Sequence, residues 1–130
     1  MDWTAAVANP QALASLPAGI GALPVDLHEV ILHRDGPSVR LRFDLAVVPD
    51  VLPARWDEDV NRTQVRLACF GVQAFALTGF AATLSGQLSA RSIDNGWMVT
   101  FAAGEVVLTL RTSLVRVESL SGYRNAGDDE

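Results

Sequence analysis

Val39, Leu41, Phe43 and Leu45 fall on one parity of the chain, and Arg40, Arg42 and Asp44 fall on the other. A period of two is the signature of a strand with one buried and one wet face. A second apolar run, from about Leu27 to His33, precedes it across Arg34-Asp35-Gly36-Pro37, so residues 31 to 45 read as a β-hairpin. The same rhythm continues downstream. Strands are predicted at about Gln64 to Phe70, Gln73 to Thr78, Thr83 to Ser92, Trp97 to Ala102, Glu105 to Arg111 and Leu114 to Ser119. Turn residues separate them, with Asp94-Asn95-Gly96 the strongest hairpin signal. Helical features are confined to the segment before Val25. Asp2 can cap a short turn through Val7, and Asn9-Pro10 offers a second start that must end before Pro17. The pattern predicts an α+β, predominantly β fold. Its core is an antiparallel meander of about seven or eight strands, curled as a half-barrel or packed as a sandwich, with one or two short N-terminal helices. Trp3 and Trp97 are expected in the core.

Composition sharpens this picture. A chain of 130 residues with 49% hydrophobic and 19% charged residues can bury a core without staples. We expect one domain over residues 1–124, followed by an acidic, mobile tail over 125–130. No uninterrupted apolar run is long enough for a membrane span, and Met1-Asp2-Trp3-Thr4 is not the start of a secretory signal. The expected location is cytoplasmic. Fifteen acids against ten bases, all of them Arg, give a formal charge of −5. Phosphate contact needs a basic footprint, so nucleic acid is not an expected partner, whereas a basic protein is. Cys69 is the only cysteine, and its strand places it with Val65 and Leu67 as a small core side chain.

Few residues offer chemistry. His28 and His33 are separated by an odd number of positions, which sends them to opposite faces of a regular strand and prevents a shared metal site. Asp26 and His28 are same-face neighbours, read as a surface ion pair because no nucleophile lies in an activating context. Gly19-Ile20-Gly21-Ala22-Leu23-Pro24 has no strand before it and a proline where a dinucleotide-binding helix would start. The expectation is therefore no catalytic residue, no metal and no cofactor. The connection from Pro49 to Asn61 differs in kind. It sets Trp56 beside Arg55, Asp57, Glu58 and Asp59 between Pro49 and Pro53. Aromatic and Arg side chains are frequent energetic centres of interfaces, so these five residues are the candidate partner-binding site. The competing reading folds Trp56 back as a lid on the sheet.

The order of features also carries a likeness: Trp3, the Leu23-Pro24 connector, the His33-Arg34-Asp35-Gly36-Pro37 hairpin, Pro53-Ala54-Arg55-Trp56, Phe70-Gly71-Val72 and Gly79-Phe80. In this order, from about Trp3 to Tyr123, the chain resembles the immunity protein 50 family of bacterial polymorphic toxin systems. The resemblance implies a small cytoplasmic protein that is not an enzyme and that binds and neutralises a cognate toxin domain by surface complementarity. It supplies no contact residues. The alternative expectation is a small-molecule-binding β half-barrel with the Trp56 loop as its lid. A homodimer through edge strands is left open.

Overall fold

The computed structural model describes residues 2–126, so positions 127–130 of the expected acidic tail lie outside the described residues. Eight strands form one antiparallel sheet: β1 (Val25–His33), β2 (Ser38–Leu45), β3 (Arg62–Phe70), β4 (Ala74–Thr78), β5 (Ser85–Ile93), β6 (Gly96–Ala103), β7 (Val106–Thr112) and β8 (Leu114–Tyr123). Their order across the sheet is β4-β7-β6-β5-β1-β2-β3-β8. Each predicted strand is present. The expected N-terminal helices are single 3-10 turns, Trp3–Ala6, Pro10–Leu13 and Ile20–Ala22, and no α-helix occurs among the described residues. Proline at positions 10, 17 and 24 leaves no stretch long enough to propagate a helix.

The sheet has two halves. β1, β2, β3 and β8 form one, and β4, β7, β6 and β5 form the other. They meet where Val25 and Asp26 pair with Gly86 and Ser85. The chain also crosses between them twice, from β3 to β4 through Gly71 and from β7 to β8 through Ser113. There Gly71 adopts φ 66°, a left-handed conformation that suits glycine. The Ser113 and Thr112 donors both reach Phe70 O, at 3.1 and 2.7 Å. The bent sheet encloses one core. Val39, Leu41, Phe43 and Leu45 of β2 lie in it as their parity predicts, with Val65, Leu67 and Cys69 of β3 and Leu108 and Leu110 of β7. The N-terminal turns add Trp3, Leu13 and Ile20, and the Trp3 ring meets Phe43 edge-on at 5.3 Å. Trp97 is partly buried against the same core.

The N-terminal segment also covers one edge of the sheet. Asn9 precedes the Pro10 turn, but its side chain makes no cap there. Instead its Nδ2 donates to Val117 O and its Oδ1 accepts from Val117 N, both at 2.9 Å and buried. Ala8 N donates to Val115 O at 2.8 Å. An asparagine amide thus replaces a missing strand along β8. Asp2 behaves as predicted, accepting from Thr4 N at 2.7 Å.

Candidate functional site

The wet face of the β1-β2-β3-β8 half carries the polar parity of β2, and the site grows from it. In β1 the alternation slips once. Leu27 pairs with Phe43 and Glu29 with Arg42, so His28 is an extra residue in a β-bulge. The inward positions accordingly run Val25, Leu27, then Val30 and Leu32, opposite Leu41 and Val39. This corrects the sequence expectation for the histidines. His28 turns outward to Asp44, while His33 pairs with Ser38, on the outward parity of Arg40 and Arg42, so both share the outer face. They remain at opposite ends of the strand.

Asp44 is the centre of a buried polar cluster. Its side chain is fully covered, yet it accepts from His28 Nε2 at 2.6 Å, Gln64 Nε2 at 3.3 Å, Arg62 Nη1 at 3.4 Å and the Tyr123 hydroxyl. Arg62 also reaches Asp26 Oδ2 at 3.0 Å. The ion pair expected between Asp26 and His28 is long, at 3.7 Å, because the bulge delivers His28 to Asp44 instead. A buried carboxylate is tolerated only when its lone pairs are filled and its charge is matched, and here four strands contribute to that end. Asp26, His28 and Asp44 present ligand atoms within 4.8 Å of one another, a possible metal trio by distance. Arg62 already bridges both carboxylates, so the guanidinium is the cation of this cluster and a metal ion would have to displace it.

Beyond Tyr123 lies the candidate loop. Its entry is held by Thr63 Oγ1, which donates to Val47 O at 2.7 Å. Its exit is held where Asn61 N reaches Tyr123 O at 3.1 Å and the Asn61 amide exchanges hydrogen bonds with the Asn125 backbone at 2.9 and 2.8 Å. Trp56 N closes a turn onto Pro53 O at 2.9 Å. The Trp56 indole then lies on β8 against Gly122, half-buried, while Arg55, Asp57, Glu58 and Asp59 are exposed.

On the opposite side of the cluster, His28 and Glu29 reach a cleft of about 340 Å³ between β1 and β4. Leu27, Val30, Leu32, Phe75, Leu77 and Phe80 supply its apolar lining. One end of the half-sheet therefore runs from the Trp56 loop, through Tyr123 and Asp44, to His28 and this cleft. The sequence pattern did not identify Asp44, Arg62, Gln64 or Tyr123 as one cluster. Their only signal was polar parity on separate strands, and nothing local announces that those strands are neighbours.

The fold defines a mostly β class of protein, an open eight-stranded antiparallel sheet with short N-terminal 3-10 turns and a salt-bridged outer face. The chain matches the family model of immunity protein 50 over residues 22–123, and it belongs to that family. No curated protein and no solved structure matches it. Family membership implies an immunity protein directed against a polymorphic toxin, with a cognate toxin as its partner. No helix among the described residues is long and apolar enough to cross a membrane.

Proposed function

We propose that this protein neutralises its toxin stoichiometrically, in the cytoplasm of the producing cell, by covering the toxin's working surface without chemical turnover. The observation that carries this reading is the pinned loop. Arg55, Asp57, Glu58 and Asp59 project from a segment fixed at both ends, with Trp56 seated between them on β8. A rigid loop loses little entropy on binding, and three clustered carboxylates steer a basic surface toward it. The net charge of −5 acts in the same direction over longer range.

The alternative small-molecule module finds less support. The β1–β4 cleft sits at the small end of ligand pockets, and Phe80 in its lining is 80% exposed. The discriminating experiment measures affinity for the toxin domain encoded beside this chain. Trp56→Ala and the triple variant Asp57→Asn, Glu58→Gln, Asp59→Asn are each expected to weaken binding at least about tenfold. Wild-type affinity in both variants would remove the loop from the interface.

A further inference from the structure

The two terminal strands of the sheet are treated differently. β8 carries Arg116 and Glu118, and the Ala8 and Asn9 contacts cover its outer edge. β4 pairs with β7 alone. Its sequence, Ala74-Phe75-Ala76-Leu77-Thr78, has neither a charge nor a proline, the usual protections of an open edge. β1 is open as well. After two register pairs with β5 and the bond from Leu27 N to Leu84 O at 2.8 Å, the rest of that edge has no strand beside it. These two open edges line the same cleft.

The cleft also concentrates exposed apolar surface. Six large hydrophobic side chains are exposed among the described residues, and Leu32 (56%), Leu77 (39%) and Phe80 (80%) are three of them. Grouped apolar exposure beside unpaired backbone is the combination an added strand satisfies, since the backbone supplies hydrogen bonds and alternate side chains fill the apolar lining. Two acids border this apolar floor. Glu29 lines the cleft and Asp26 the adjoining one beyond Phe80, with no arginine in either lining. The arginines that pair with them, Arg42 and Arg62, stand behind on β2 and β3. Each of these acids is thus already paired, so the basic character of a complementary segment follows from the net charge of −5 rather than from a free carboxylate at the cleft.

We propose that an extended segment of the cognate toxin, apolar at alternate positions and flanked by Lys or Arg, adds as a strand along β4 and packs on Phe80, Leu32 and Leu77. This rests on the toxin-binding reading above and names a second contact for it, separate from the Trp56 loop.

The test uses the full chain and the toxin domain encoded beside it. Phe80→Lys and Leu32→Lys place a cation on exposed positions, where folding is retained, and each is expected to weaken binding at least about tenfold. Leu114→Lys, at an exposed position on β8, is expected to bind as wild type does. Hydrogen exchange supplies the direct readout: the amides of residues 74–78 exchange more slowly in the complex than in the free chain. Tight wild-type binding that is unaltered in both cleft variants, with no new protection of β4, overturns the strand addition and leaves toxin binding standing. Absence of wild-type binding overturns both. A free chain that is already dimeric, with β4 protected, assigns the edge to a second copy and also overturns the proposal.

Discussion

The Trp56 indole covers Gly122 so closely that a Cβ at position 122 would lie 2.5 Å from the ring. The glycine is therefore a seat for the aromatic side chain, and the seat fixes the direction in which the loop presents its acids. Gly122→Ala is expected to lift the indole, cost about 1–3 kcal/mol, and shift Trp56 fluorescence toward that of exposed tryptophan. Unchanged emission and an unchanged unfolding midpoint would show that the loop is not positioned by this contact.

Asp44 is expected to be the least replaceable polar residue of the outer face. Asp44→Ala leaves Arg62 with Asp26 as its remaining carboxylate in the cluster and frees donors on His28, Gln64 and Tyr123. Removing one member of a buried charge network costs about 3–5 kcal/mol. Urea denaturation measures it, and a loss below about 1 kcal/mol would mean that the cluster is dispensable.

Asn9→Ala removes both hydrogen bonds to Val117 while leaving that backbone buried. Two unsatisfied groups predict a loss of about 2–4 kcal/mol, together with faster amide exchange at Val117. The same variant uncovers part of the β8 edge, so light scattering should detect more self-association than in the wild type.

Cys69 is fully buried, and burial pushes its thiol from 9.0 up to about 12. The folded state thus favours the protonated thiol, and stability from this source is complete below pH 9.0 and lost as pH rises toward about 12. In that window Cys69→Ala should unfold with a weaker dependence on pH than the wild type. Native protein at pH 8 should resist alkylation until denatured.

How much of this was legible depended on whether the signal was local. Val39 through Leu45 announced β2 and its two faces, and Asp94-Asn95 closes a hairpin with Asn95 at φ 61°. Short prolines-and-glycine segments announced turns at the N-terminus, but not that they would be 3-10 turns or that Asn9 would bind β8. The bulge at His28 has no sequence marker, and a single inserted residue reversed the face of everything after it in β1. The Asp44 cluster depends on partners 16 to 79 residues away, brought together by a strand order no local pattern encodes. The loop from Arg55 to Asp59 was legible as a candidate because aromatic and charged residues cluster there within one connection. The β1–β4 cleft was not, since it exists only where two strands distant in sequence leave their edges open.

Neutralisation by stoichiometric binding is read out by titration of toxin activity. Increasing amounts of the purified protein are added to a fixed amount of the toxin domain encoded beside it, and residual toxic activity is measured. Residual activity should fall linearly to zero at about one equivalent, with a complex of matching composition on size-exclusion chromatography. Activity that persists at a large excess of this protein, or that disappears at a small fraction of an equivalent through turnover, would contradict stoichiometric neutralisation.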